Sequence, residues 1–349
     1  MAKSKRRSKI KTVVEKPLET EEPISDKVAN TLSQSLRLFW EEVKNSYRSR
    51  FFILFAIFMI VPMMLILLTY GITQYPLYFN QVQISAFLNG IYNESGAIQT
   101  FRDIFATLMG MGFGTTGFAT LWYTGIPVGA VVALMTCGMI ASERDKGTLP
   151  IFVSKPVYKT QIILTKFFAF AFTSLLLTAA VFYTIYFALA FSILGPLGIL
   201  GEGLSYTIYA ANLEVIVTWL FILTVGSITL LISSLVDRPL VAGVIAIMFV
   251  LLIYFLSSIL GIILGVGGSL GYISPSSLAN AILNVNVNIV GYYQAETAIY
   301  LIRGPGGGAF ARALIGTQID PGVAAILLIS ILLITIVLAC IITETREVK

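Results

Sequence analysis

The sequence predicts an all-α integral membrane protein with six transmembrane helices and an amino-terminal amphipathic interfacial helix. Three observations carry that fold class. The 349 residues are 57% hydrophobic and only 12% charged, with mean hydropathy +0.87, whereas a soluble domain carries about 25% charged residues. A chain this apolar cannot cover a surface in water, so the bilayer is its solvent. Second, the charges leave several uncharged stretches, each long enough for the roughly 20 apolar residues of a span. Third, 20 of the 23 Lys and Arg residues fall on one side of a six-span threading.

Residues 1–25 hold Lys3, Lys5, Arg6, Arg7, Lys9, Lys11 and Lys16, show no periodicity and are broken by Pro17 and Pro23. They read as a disordered, basic cytoplasmic tail. In residues 26–50, Val28, Leu32, Leu36, Phe39, Val43 and Tyr47 recur at helical spacing, with Lys27, Arg37, Glu41, Lys44 and Arg48 off that stripe. Ser25 or Asp26 can cap its start. Such an amphipathic helix, with Phe39 and Trp40 as anchors, lies in the membrane interface and leads into the first span.

The transmembrane domain covers 51–342. Its spans run at about Phe51–Tyr70, Thr120–Ser142, Ile162–Leu194, Ile208–Leu235, Pro239–Val266 and Gly322–Ile342. Each is a helix, because backbone groups in lipid must be paired within the segment. The ten-residue alternation of a membrane barrel is absent. Pro62 in the first span and Gly125, Pro127 and Gly129 in the second are expected to loosen their helices. Two larger loops, 71–118 and 267–321, connect spans on one side. The first contains Asn93-Glu94-Ser95, an acceptor pattern for glycosylation at Asn93. The second contains Gly304-Pro305-Gly306-Gly307-Gly308, a flexible turn. Either can carry short helices or dip back into the membrane.

Six spans put both termini on one side. Residues 1–50 hold 12 Lys and Arg, 143–166 hold 5, Arg238 adds 1, and Arg346 and Lys349 in the 343–349 tail add 2. The opposite loops hold Arg102, Arg303 and Arg312. The positive-inside rule makes the richer side cytoplasmic, which gives a multi-pass protein of the cell membrane with both termini in the cytoplasm. No cleavable signal peptide is expected, since about 50 polar residues precede the first span. A basic tail beside a span argues for topology and anionic membrane lipid rather than nucleic acid.

Several chemistries are excluded by residue supply. Without histidine there is no Ser-His-Asp triad and no common neutral-pH base. Cys137 and Cys340 both lie in apolar spans and offer neither a disulfide framework nor zinc-ligand spacing. No G-x-x-x-x-G-K-[ST] loop is present to cradle phosphates. No catalytic, metal-binding or cofactor-binding residues are expected in this chain. Glu214 is the one acidic residue placed inside a span. Intramembrane charges are costly and mark substrate paths, although a position near the outer helix end also lets it reach headgroups.

The densest cytoplasmic loop, 143–160, is the most specific feature. Glu143-Arg144-Asp145-Lys146 ends the second span, Gly147 permits a turn, and Thr148-Leu149-Pro150-Ile151-Phe152-Val153 is short and mostly apolar. Ser154-Lys155-Pro156-Val157 turns again before the third span. A charged rim around an apolar patch suits a transient protein interface. It also suits a topogenic loop resting on headgroups.

The stretch Ser142 to Phe167, SERDKGTLPIFVSKPVYKTQIILTKF, resembles the coupling signature of the type-2 ATP-binding-cassette (ABC) exporter permeases. Ser233-Ser234-Leu235-Val236 resembles the short loop between that family's fourth and fifth spans. The resemblance implies a transmembrane permease subunit that couples ATP hydrolysis by a separate ABC ATPase chain to substrate movement. ATP and Mg would then belong to the partner, and a second permease chain, identical or related, would complete a dimer. It also assigns Glu143, Arg144, Gly147, Thr148, Leu149, Ser154 and Pro156 to the ATPase-coupling interface; Asp145, Lys146 and Lys155 lie in the same segment and are counted with that interface, the first two at positions the family varies. Pro150, at a position the family varies, shortens the expected coupling helix. Two other readings remain: a non-transporting membrane anchor of a larger complex, and an ion-coupled secondary transporter. The latter predicts inverted repeats and buried ionisable groups, and the sequence offers only Glu214.

Overall fold

The computed structural model describes residues 24–69, 122–145, 159–197, 200–256, 271–290 and 319–345. Among these residues all regular structure is helical. Three helical stretches are long and apolar enough to cross a membrane: Thr160–Ala188, Ala211–Leu235 and Pro321–Thr345. A fourth arises if Ser35–Arg48 and Arg50–Met64, which meet at 65°, count as one bent span. Ile126–Ser142 and Pro239–Phe255 are apolar but shorter.

Helix α1 (Ile24–Arg48) already includes Ser25 and Asp26 in its first turn, so neither precedes it as a cap. Helix α2 (Arg50–Thr69) starts where the Ser49 hydroxyl accepts the Phe52 N–H at 3.0 Å. Pro62 does not break α2. A proline removes the N–H that would pair with the carbonyl four residues earlier. Here that carbonyl is Phe58, and the Trp122 indole N–H donates to it at 2.8 Å. One residue on, the Tyr123 hydroxyl donates to the Met59 carbonyl at 2.8 Å. Two aromatic side chains thus satisfy the weak point of α2 from outside, as a dry environment requires.

The second predicted span is two helices, α3 (Ile126–Thr136) and α4 (Gly138–Asp145), separated at Cys137. Gly125 and Pro127 do not loosen a running helix. Gly125 is the extended N-cap of α3 and Pro127 lies in its first turn, where a missing N–H costs nothing. Gly129 reads as packing: a Cβ there would sit 3.2 Å from Val250 Cγ1.

Helices α5 (Lys159–Leu197) and α6 (Leu200–Leu235) are long and pack along one another. The Trp219 indole of α6 donates to the Ala171 carbonyl of α5 at 2.8 Å. Helix α7 (Pro239–Phe255) follows a three-residue connection, with Arg238 as its N-cap and Pro239 opening it. Helix α8 (Pro275–Val290) lies inside the second predicted outer loop, yet Leu278, Ala279 and Leu283 belong to the buried core. Ser274 starts it, accepting the Leu278 N–H through its carbonyl at 3.0 Å. Helix α9 (Pro321–Thr345) is capped by Asp320, whose Oδ1 accepts the N–H groups of Gly322 and Val323 at 2.8 and 3.1 Å.

Helix α6 is the hub. It contacts α3, α4, α5, α7, α8 and α9, and Phe221, Ile222 and Leu230 on it are wholly buried. Between helices in lipid there is little hydrophobic gain, so tight packing and cross-helix hydrogen bonds hold the bundle. Thr335 of α9 donates to Ser227 of α6 at 2.7 Å, which is one such bond. Conversely, Leu240, Val244, Met248 and Leu252 on α7 and Ile326, Leu333, Ile334 and Val337 on α9 point outward. An apolar exterior is what a helix facing lipid presents.

Candidate functional site

Two regions carry chemistry. The first is the bundle end where α4 finishes and α5, α7 and the last turn of α9 have their termini. Here Cys137 keeps helical dihedrals and donates its N–H to the Ala133 carbonyl at 2.9 Å, and a side chain from another helix joins the backbone at the start of α4. Where α4 begins, its first N–H groups would be unpaired. Ser233, near the end of α6, supplies a cap from another helix: its Oγ accepts the N–H groups of Ala141 at 3.0 Å and Ile140 at 3.3 Å. The same hydroxyl donates to the Cys137 carbonyl at 2.7 Å. One buried hydroxyl therefore uses its donor and both acceptor sites on the backbone where α3 meets α4. Helix α7 closes in from the other side, where a Cβ on Gly243 would lie 3.1 Å from Cys137 Sγ. The start of α4 is thus gripped by α6 and α7.

Glu143, Arg144 and Asp145 form the last turn of α4, and Asp145 is exposed. Lys146, Gly147, Thr148, Leu149, Ser154, Lys155 and Pro156 lie outside the described residues, as does Asn93. The chain re-enters the description at Lys159, where α5 begins. Its first turns are tied to neighbours. Thr160 hydrogen-bonds Glu344 near the end of α9, and Gln161 hydrogen-bonds Ser35 of α1. Lys166 pairs with Glu42 at 3.0 Å, and Phe172 meets Phe39 edge-on at 5.9 Å. Helix α1 therefore docks on α5 through one flank, with Val43 buried, while Leu36, Trp40 and Tyr47 remain exposed beside it. Helix α4 therefore contacts α6 and α7, and the first turns of α5 contact α1 and α9.

The second region is a small apolar cleft, about 20 Å³ in volume, between α3, α6, α7 and α8. Phe221, Val225 and Ile228 of α6 line one wall, Phe249, Val250 and Tyr254 of α7 another, and Ser274 and Ser276 contribute hydroxyls at its edge. Beside it the Thr124 hydroxyl donates to Asn280 Oδ1 at 2.7 Å, joining the start of α3 to α8. Glu214 lies on α6, about 30 Å along the helix from Leu235. It is 6% exposed and is, among the described residues, the acidic side chain in the buried set. The buried Tyr186 of α5 lies within its electrostatic reach. Glu214 therefore points into protein. It does not line the cleft, whose α6 wall begins at Phe221.

Apolar, lipid-compatible helices packed around a central one define a multi-pass helical membrane protein. The family model for the ABC-2 family transporter protein matches residues 36–347, and the chain belongs to that family. It is thus a membrane-domain protein of the ABC transporter class, whose ATPase is a partner rather than this chain. Comparison with curated proteins finds none that matches.

Proposed function

We propose that this chain is the permease subunit of an ABC exporter, with six spans, both termini in the cytoplasm and a second permease chain completing the transport unit. ATP and Mg are bound by a separate ATPase that docks on the 143–160 segment. The observation that carries the reading is the family match over 36–347, joined to the position of Glu143 and Arg144 at the end of α4. Those two residues lie one to two turns from backbone that is hydrogen-bonded to Ser233 of α6. A force applied to the segment by a closing ATPase pair then reaches α6 through α4 rather than dissipating in a loose loop. Coupling requires that ATP favour one arrangement of the helices over another, and α6, which touches most of the bundle, is the element through which that preference would spread. Glu214 lies on the same helix, on the substrate path. The exposed apolar flank of α1, with Trp40, rests on membrane lipid, and Asn93 faces the opposite side.

The test is co-purification from mild detergent of an ATPase subunit with the wild-type chain and with the Glu143→Ala, Arg144→Ala double variant. The expected result is a stoichiometric ATPase with wild type and its loss, by about tenfold or more in affinity, with the variant. A correctly inserted wild-type chain that brings down no ATPase would overturn the reading.

A further inference from the structure

Helix α1 presents two stripes to its surroundings. Leu36, Trp40 and Tyr47 are exposed, at spacings of four and seven. Arg37, Lys44 and Arg48 are exposed too, at spacings of seven and four. Such spacings keep each set on one helical face, and at 3.6 residues per turn the two faces lie about 80° apart. On the far side of the apolar stripe come Ser35, Phe39 and Glu42, which meet α5. The order around α1 is therefore protein, aromatic, basic. Charge follows the same division. Glu42 is turned to α5 and paired with Lys166 at 3.0 Å, which leaves Glu41 as the exposed acid beside three exposed cations between Ser33 and Arg48. Orientation adds to this. Ser35–Arg48 meets Arg50–Met64 at 65°, and α2 carries no charge after Arg50. A helix that crosses lipid stands within about 40° of the bilayer normal, so the 65° turn lays α1 toward the membrane plane.

We infer that Arg37, Lys44 and Arg48 form a docking stripe for anionic phospholipid headgroups, with Leu36, Trp40 and Tyr47 sunk beside it toward the acyl chains. The inference deepens the reading of α1 as a helix resting on lipid, and rests on it. With the aromatic stripe at the acyl boundary, the basic stripe lies at its side, at the depth of the phosphates. Arginine takes a phosphate through its fork and lysine as a point charge. An anionic headgroup meets these cations directly, whereas a zwitterionic one brings a cation of its own. An acidic protein surface matches the charge alone, since Trp40 and Leu36 beside the cations call for an apolar phase. The basic tail differs in kind: residues 1–25 contain no aromatic residue.

The experiment uses the full chain in nanodiscs of equal parts phosphatidylcholine and phosphatidylglycerol, with bromine on the acyl chains of one lipid or the other. Tryptophan quenching is read, and the part that Trp40→Phe removes belongs to Trp40 rather than to Trp122 or Trp219. Brominated phosphatidylglycerol is expected to quench Trp40 at least about twofold more than brominated phosphatidylcholine, since a cation at an anionic surface shifts the balance up to roughly fivefold. Salt at about 1 M, which cuts the screening length to about 3 Å, should level the two lipids. The combined change Arg37→Gln, Lys44→Gln and Arg48→Gln should level them as well, with Trp40 still quenched. Replacing the tail cations from Lys3 to Lys16 by Gln should leave the preference standing. Equal quenching by the two lipids in wild type overturns the proposal and keeps α1 on lipid. A preference that survives the triple change, or that disappears with the tail cations, overturns it by moving recognition to the tail. If the triple variant does not fold, the salt series and the tail variant decide. Absence of Trp40 quenching by either lipid sinks the lipid-resting reading itself and leaves this flank of α1 to the ATPase partner.

Discussion

Pro62 and Trp122 show how a single residue is accommodated in a dry bundle. The proline has no N–H for the Phe58 carbonyl, and the Trp122 indole donates to it at 2.8 Å from outside the helix. The two rings of Phe58 and Trp122 also stack at 5.7 Å. Trp122→Phe keeps an aromatic ring and removes the donor. An orphaned carbonyl costs about 1–3 kcal/mol, so thermal unfolding of the purified chain should show a loss of that order. With Pro62→Ala the helix regains its own donor, and the same Trp122→Phe change should then cost less than about half as much. Equal losses in both backgrounds would mean that the indole acts by packing alone. Neither member of this pair announces the other in sequence. Pro62 read as a loosened helix, and the residue that answers it lies 60 positions away.

At the level of helices, some of the architecture was legible and some was not, for separable reasons. The stretches that became α5, α6 and α9 were found because a span long enough to cross lipid must exclude charge, and that is visible residue by residue. The division of the second span at Cys137 was not found. Gly125, Pro127 and Gly129 carried the visible helix-breaking chemistry, yet they start or pack α3, while the junction of α3 and α4 is hydrogen-bonded by Ser233 from a helix almost a hundred residues later. Helix α8 was hidden for another reason: its Asn residues and position in a loop masked a face that the fold buries. The charged cluster at the end of α4 was readable from its abrupt polarity, whereas the hydrogen bonds of that helix to Ser233 of α6 were not. Helix α1 offers a test at this scale. The Lys166–Glu42 pair, with both side chains less than a third exposed, helps lock α1 to α5. Partly sheltered pairs like this are worth about 1 kcal/mol. Glu42→Lys should therefore speed amide hydrogen exchange across residues 35–48, and adding Lys166→Glu should restore protection. Faster exchange that the second change leaves untouched would assign the docking to Phe39 and Val43 instead.

For the whole molecule the open quantity is how the chain threads the membrane, and charge distribution makes a sharp prediction about it. Translocating a basic segment against the membrane potential is unfavourable, so the side holding 20 of the 23 Lys and Arg residues stays in the cytoplasm. With an even number of crossings, Ser8 and Val348 share that side with Ser154, while Asn93 lies opposite. In a background with Cys137→Ala and Cys340→Ala, single cysteines at these four positions can be labelled with a membrane-impermeant maleimide in intact cells. The Asn93 position should react from outside, and the other three only after permeabilisation. Ser8 and Val348 reacting from opposite sides would require an odd number of crossings. The first suspects would then be the two short apolar stretches, Ile126–Ser142 and Pro239–Phe255. At about 1.5 Å per residue, 17 residues cover about 25 Å, short of a bilayer core of about 30 Å. Either stretch crosses only if adjoining residues extend it or the bilayer thins around it. Arg238 caps the second of these helices, and Ser233 of α6 bonds the backbone of the first around Cys137. A labelling pattern that places Ser154 with both termini would therefore mean that both short stretches cross, and that the crossings needing most adjustment from the bilayer are two of those packed against α6.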